Sequence, residues 1–306
     1  MARRPAKTSR EILNQLQAED DGLPARRIGV WSLEKLAILL LYFEGFTKAC
    51  VRAGDTYYVD GLAGPGICRI RGAQAAPYQV WGSPLVALRT RPLFSRCIFL
   101  DINARNTATL SARVSSYGRR ALVRQGDVNQ VLAQILRRDV PGTAPCFCLL
   151  DPEGTELNWS TIQAAALTPA RRRKPELLVL FATGMGFIRL LTVSREIRPG
   201  WRARLDRMFP DEGWWNVYQD RVAGHLLPAE AKGRYIEIYE GGLKSLGYRH
   251  VSSHPITAPT APRGQRRELY HLVFASDSDA GRKIMDYVFQ RPYYLDFPVD
   301  LQPPLL

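Results

Sequence analysis

Tyr57-Tyr58-Val59-Asp60-Gly61-Leu62-Ala63-Gly64-Pro65-Gly66 is the stretch on which the fold turns. A short β-prone run ends in an acid, and a glycine-rich turn opens at once. Gly61, Gly64 and Gly66 let the backbone turn sharply and come close to a ligand, because glycine carries no Cβ. No Gly-Lys-Ser/Thr triplet follows, so a P-loop is excluded: that phosphate cradle needs its lysine. A lone G-x-x-G-x-G turn is a weak signal. It gains weight from what recurs downstream.

Short apolar runs alternate with helical segments, the pattern of an α/β domain with a mostly parallel sheet. The runs are Tyr57-Tyr58-Val59, Cys97-Ile98-Phe99-Leu100, Ala121-Leu122-Val123, Phe147-Cys148-Leu149-Leu150 and Leu177-Leu178-Val179-Leu180-Phe181. Helices are expected between them at about 83–91, 103–117, 128–138 and 158–168. Strands covered by helices on both faces read as continuous apolar runs. Asp101 closes the second run, Asp127 follows the third after Arg124-Gln125-Gly126, and Asp151 closes the fourth and leads into Pro152-Glu153-Gly154. Ligands of open parallel sheets bind at the carboxyl ends of the strands, so Asp60, Asp101, Asp127 and Asp151 are expected to line one crevice. Each acid alone also reads as a helix N-cap beyond a strand. Four in register weaken that plainer reading.

Around this centre, Trp31-Ser32 opens a helix to about Val51 with Ser32 as its expected N-cap. Residues 194–232 break the rhythm and read as a helical insertion. Residues 234–240, 248–252 and 269–275 read as further strands, 253–268 as a Pro-, Thr- and Arg-rich loop, and 278–290 as a last helix. The organisation expected is a flexible arm over 1–27, a domain over 28–290, and an extended proline-rich tail over 291–306 that packs as a strap or awaits a partner.

The 306 residues suffice for one large domain or two modest ones. At 46% hydrophobic and 10% aromatic, the chain is not of a disordered class. No segment approaches the roughly 18 uncharged apolar residues of a membrane span. The first 27 residues lack a signal peptide's apolar segment. Five cysteines without a C-x-x-C pair argue against a secreted disulfide framework. The expectation is a soluble, cytoplasmic protein with no membrane partner. Lys+Arg 42 against Asp+Glu 29 leaves a formal charge of +13. The bias towards arginine, clustered at Arg171-Arg172-Arg173-Lys174 and through Arg189, Arg195, Arg198, Arg202, Arg204 and Arg207, suits nucleic acid better than membrane. The plainer reading is solvated surface charge.

The order strand–Asp–glycine loop, strand–Asp, Gly-Asp, strand–Asp-Pro resembles class I S-adenosylmethionine-dependent methyltransferases. More narrowly, the chain resembles the three-Cys-motif partner (TcmP) family over roughly residues 28–290. That likeness rests on Trp31 and Lys35, the stretch 58–66, Gly82-Ser83-Pro84, Gly126-Asp127-Val128-Asn129, Leu150-Asp151-Pro152-Glu153-Gly154 with Trp159, and Tyr270-His271-Leu272-Val273-Phe274-Ala275-Ser276. The glycine loop and Gly-Ser-Pro are also similar to RlmJ-like adenine methyltransferases of ribosomal RNA. The resemblance implies a Rossmann-like sheet, mostly parallel with a late antiparallel strand. It places Asp60, Gly61, Ala63, Gly64 and Gly66 at the methionine end of S-adenosylmethionine, Asp101 on the ribose and Asp127 on the adenine amino group. Ser83 would cap the helix beyond the loop. Residues 67–82 delay that helix, as a lid, a substrate wall or an ordinary surface insertion.

Enzymes that methylate amino groups of nucleic acids usually carry Asp/Asn-Pro-Pro-Tyr/Phe at the fourth strand end, where the polar atoms take the amine hydrogens and the ring stacks on the flipped base. Here Asp151 and Pro152 keep their places, Glu153 replaces the second proline, and the aromatic is missing. Asp151 with Glu153 either forms a proton-handling carboxylate pair, or Glu153 is an exposed first-turn helix residue. Trp159 supplies stacking or belongs to the core. Gly184-Met185-Gly186 with Arg189 shapes the substrate side. Trp201, Trp214, Trp215 and Tyr218 among arginines form either a base-stacking module or the insertion's own core. Cys146 and Cys148 read as core thiols, and His250 with His254 lacks a third metal ligand. The function expected is methyl transfer to nucleic acid. The alternatives are a partner-dependent subunit that binds nucleic acid and a three-Cys-motif partner protein, and methylation of a small molecule or protein.

Overall fold

The computed structural model describes residues 7–71, 78–169, 171–184, 191, 197–260 and 265–291. The chain divides into two compact units, one of Met1–Gln125 with Pro259–Gln265 and Lys283–Leu306, the other of Gly126–Ala258 with Arg266–Arg282.

The first unit opens on helix α1 (Ser9–Leu16), started by a capping box in which Thr8 Oγ1 accepts from the Glu11 amide and the Glu11 carboxylate accepts from the Thr8 amide. Ile12, Leu13 and Leu16 repeat at helical spacing and are buried. Strands β1 (Gln17–Ala18) and β2 (Arg26–Ile28) follow, then helix α2 (Ser32–Ala49). The described part of the expected flexible arm is therefore built into the fold, because its apolar positions share one helix face. Ser32 is the first helical residue of α2 rather than its cap; Trp31 holds the cap position without a side-chain hydrogen bond. Next come β3 (Tyr57–Asp60), β4 (Ile67–Ile70), β5 (Gln79–Trp81), α3 (Ser83–Arg89), β6 (Arg96–Asp101), α4 (Ala104–Val114) and β7 (Ala121–Gln125). β3, β6 and β7 pair in parallel. The segment that delays α3 is an antiparallel pair, β4 with β5, joined by β1 and β2 into a small sheet of order β1-β5-β4-β2.

The second unit runs α5 (Val128–Arg138), β8 (Cys146–Leu150), α6 (Trp159–Ala166), β9 (Glu176–Phe181), α7 (Pro199–Met208), α8 (Gly213–Val222), α9 (Pro228–Ser245), β10 (His250–Thr260) and β11 (Gln265–Ser276), with the start of α10 (Asp279–Phe289). β8 and β9 are parallel, and β11 is antiparallel to β9. Two expectations fail here. Residues 234–240 are not a strand: they lie in α9, where Ala231, Tyr235, Tyr239 and Leu243 bury one face at four-residue spacing. The loop expected over 253–268 is largely the ends of β10 and β11. β10 stands at a sheet edge, where proline's missing N–H costs no ladder bond.

Among the described residues the larger sheet has seven strands in the order β10-β11-β9-β8-β3-β6-β7. Numbered along the chain and read from the β7 edge, they run 3-2-1-4-5-7-6, with the seventh antiparallel to the fifth. This is a mostly parallel, Rossmann-like sheet with one antiparallel strand next to its β10 edge.

Candidate functional site

Asp60 ends β3 fully buried; one carboxylate oxygen accepts from the Tyr58 hydroxyl at 2.8 Å and the other from the Leu62 amide at 3.3 Å. Burial, then the Asp60 charge, pushes the Tyr58 hydroxyl well above its ordinary range. Beyond Asp60 the glycine turn is pinned to the neighbouring strand. Ala63 donates to the Leu100 carbonyl at 2.7 Å, and the Gly64 amide donates to Asp101 at 2.9 Å. Asp101 also accepts from the Asn103 amide at 2.8 Å and the Asn106 side chain at 3.1 Å. A carboxylate offers about four acceptor positions, so one remains for a ligand hydroxyl. The next side chain, Ile102, is 69% exposed.

The glycines of the turn differ. Gly64 has φ +64°, and a Cβ there would meet nothing nearer than Arg26 at 3.9 Å. Gly66 has φ +92°, and its Cβ would stand 2.8 Å from Leu110. Gly66 also accepts from the Gly82 amide at 2.7 Å. Gly64 thus has the open side that close approach by a ligand requires, whereas Gly66 is a packing position. Gly61 is buried beside them. Ser83 does not cap α3: Gly82 holds that position, and the Ser83 side chain acts on the Tyr58 hydroxyl in the direction that lowers its pKa, against the larger effects of burial and Asp60.

Arg113 of α4 was not foreseen as part of this site. Its side chain, 2% exposed, pairs with both Asp21 oxygens at 2.7 Å and donates to the carbonyls of Leu23, Pro24 and Pro65. One arginine so ties the N-terminal segment to the glycine turn. The pairing holds the Asp21 carboxyl below its usual range. No local pattern marks Arg113, because Asp21 lies 92 residues away.

In the second unit Asp127 is the N-cap of α5 and accepts from the Asn129 amide at 2.9 Å. Asn129, also unforeseen in this role, braces the chain after β8: it donates to the Glu156 carbonyl and accepts from the Asn158 amide and the Thr161 hydroxyl. Asp151 and Pro152 are buried and Glu153 is exposed. Because α6 begins only at Trp159, Glu153 is not a first-turn helix residue. Trp159 is buried edge-on against Tyr239, 5.3 Å between centroids, and borders a cavity of about 400 Å³ with Pro210, Asp211 and Gly242. Met185, Gly186 and Arg189 lie outside the described residues.

Thr183, Lys232, Glu268 and His271 form a further cluster in this unit. Glu268 accepts from Thr183 at 2.8 Å, and Lys232 stands 3.1 Å away. His271 Nε2 lies 3.0 Å from Glu268 but out of line for a hydrogen bond, leaving a charge contact. Burial pushes the Glu268 carboxyl up, but His271, Thr183 and Lys232 outweigh it and hold the group at about 2.

Cys97, Cys146 and Cys148 are buried free thiols, and burial pushes Cys146 up to about 12. His250 contacts Asp279 at 2.7 Å, and no metal-binding group occurs among the described residues. Arg171 donates to the carbonyls of Val140, Ala144 and Arg173, so part of the basic run is structural. No helix among the described residues is long and apolar enough to cross a membrane.

No protein-family model matches the chain. No curated protein matches it in sequence. Among solved structures it is similar to LPL1258 from Legionella pneumophila, with a TM-score of 0.48 and 10% identity over 83% of this chain and 89% of that one. The METTL16 MTase domain aligns at TM-score 0.42 and 12% identity, over 85% of this chain and 75% of that one. An rRNA methylase from Streptococcus thermophilus aligns at TM-score 0.36 and 11% identity, over 79% of this chain and 93% of that one. All three are distant likenesses.

Proposed function

We propose that the chain is an S-adenosylmethionine-dependent methyltransferase that acts on nucleic acid. The observation that carries this reading is the bridge from Asp101 to the Gly64 amide, which joins the acid ending β6 to the open glycine of the turn after β3. The donor set fits an adenosyl group. Asp101 keeps an acceptor position for a ribose hydroxyl, Gly64 leaves room for close approach, and exposed Ile102 offers an apolar face to a ring. Asp60, Gly61, Ala63 and Gly66 complete the turn at the methionine end. When bound, the cofactor supplies a methyl group on a sulfonium. By resemblance, Asp127 takes the adenine amino group and Asp151 the methyl acceptor, where its oxygen and the Pro152 carbonyl receive amine hydrogens. The charge of +13 favours a polyanionic substrate.

Calorimetry with S-adenosylmethionine and its demethylated product tests the cofactor assignment. Asp101→Ala is expected to weaken binding at least tenfold, while Asp151→Ala keeps binding and loses methyl transfer. Unchanged binding in a folded Asp101→Ala protein would falsify the cofactor reading. Full transfer by Asp151→Ala would overturn the acceptor role alone.

The departure at Glu153, exposed and without a following aromatic, favours a second reading: a partner-dependent subunit that binds nucleic acid and a three-Cys-motif partner protein. Turnover by the purified chain alone removes that reading.

A further inference from the structure

We infer that α7 and α8 carry a docking surface for single-stranded nucleic acid, an inference that rests on the nucleic-acid reading above. These helices have their own aromatic core. Trp214 and Phe209 are buried and stacked, 6.0 Å between centroids, with Tyr235 against Phe209. Trp201 and Trp215 lie outside that core and are only half-buried. Each carries a guanidinium on its ring: Arg202 stands 3.9 Å from the Trp215 centroid, and Arg198 stands 5.0 Å from that of Trp201. Tyr218 backs Trp215 at 5.2 Å, so the outer indole is held in a fixed orientation.

The charge around these rings leans positive, with Arg198, Arg202, Arg204, Arg207 and Arg221 against Asp206, Asp211, Glu212 and Asp220. Arg198, Arg202, Arg204 and Arg207 are all exposed, with Asp206 the acid between them. Among the described residues Arg202, Arg204 and Arg207 form no ion pair. Asp211, at the turn into α8, is engaged by the Gly213 amide, and Asp220 faces His225 at 3.8 Å. A planar cation over an indole occupies the place a nucleobase takes when it stacks. On binding, an unpaired base takes over the Trp215 face while Arg202 turns to a phosphate, and Arg204 and Arg207 follow the backbone. A duplex keeps its bases stacked and presents no such face. That difference commits the surface to single strands.

The test uses a labelled single-stranded RNA of about 12 nucleotides, the same sequence as a duplex, and the full chain. The Arg202→Gln/Arg204→Gln/Arg207→Gln variant changes exposed side chains only and is expected to fold. Its affinity for the single strand should fall about tenfold or more, and its salt dependence should flatten by about 2 in log–log slope, at about 0.7 per phosphate contact. RNA should quench tryptophan fluorescence in the parent protein, and Trp215→Leu should lose most of that quenching. Cofactor binding by calorimetry should be unchanged in both variants. Parent-like RNA affinity and slope in the triple variant would overturn the assignment. So would tighter binding of the duplex than of the single strand, or displacement of neither RNA by excess unlabelled strand. A failure of the methyltransferase reading shows separately, as intact cofactor binding in Asp101→Ala.

Discussion

At the scale of single residues, the glycine turn separates two demands that its composition blends. Gly64 and Gly66 both adopt positive φ, at +64° and +92°, a region where a side chain costs about 1 kcal/mol or more. At Gly64 nothing else opposes a Cβ closer than 3.9 Å, whereas at Gly66 the added atom would press on Leu110 at 2.8 Å. Gly66→Ala should therefore cost about 2–3 kcal/mol and Gly64→Ala about 1 kcal/mol. Urea denaturation of the two variants checks this, and the opposite order would mean that Leu110 yields freely. The functional order should be reversed. Gly64→Ala, with its amide on Asp101, should weaken the cofactor more than its stability loss explains. Ser83 makes a similar point: a serine beginning a helix suggests a cap, yet it is the first helical residue and Gly82 holds the cap position.

At the scale of elements, Glu268 joins the end of β9, through Thr183, to α9, through Lys232, and to its own strand, through His271. Its carboxyl is held at about 2, below the ordinary 4.5. A lowered folded value means that the ionised form stabilises the fold. The contribution is complete above about 4.5 and is lost as pH falls towards about 2. Relative to Glu268→Gln, the parent protein should be more stable by about 1–2 kcal/mol at neutral pH, discounted for the partial exposure of the group. That margin should shrink below about pH 4.5. A margin flat from pH 7 to 3 would show that the cluster does not favour the charged form. β3, β6, β8 and β9 were legible in the sequence because central strands are apolar throughout, and an acid at a strand end is visible locally; the edge strand β7 showed only through its Ala121-Leu122-Val123 run. Residues 234–240 misled because Tyr235-Ile236-Glu237-Ile238-Tyr239 alternates at period two, while the two tyrosines are also four apart and share a helix face. The Arg113–Asp21 tie and the Glu268–Thr183 bond join residues far apart in the chain. Such pairings leave no periodicity to read.

At the scale of the whole molecule, the net charge of +13 and the proposed cofactor turn should respond differently to salt. A ligand that binds only the native protein, at about 100 times its dissociation constant, adds about 2.7 kcal/mol of stability. A chain of 306 residues unfolds with an entropy of about 0.64 kcal/mol/K, so the midpoint should rise by about 4 °C if unfolding is cooperative. S-adenosylmethionine is held in this proposal by directed hydrogen bonds at Asp101 and the glycine turn. Its shift should survive an increase from about 0.05 to 0.3 M salt, because short contacts away from bulk water are weakly screened. RNA is held largely through phosphate, and its shift should collapse over the same range as counterions cease to be released at a gain. At the same ligand concentrations, Asp101→Ala should at least halve the first shift and leave the second, and the triple arginine variant should do the reverse. Thermal melts of the three proteins with each ligand at the two salt concentrations decide the matter. A cofactor shift that vanishes with salt would mean that S-adenosylmethionine, itself a net cation, is held by charge at exposed acids instead of by directed bonds in the turn. An RNA shift that persists would require base or shape recognition to outweigh the +13 field.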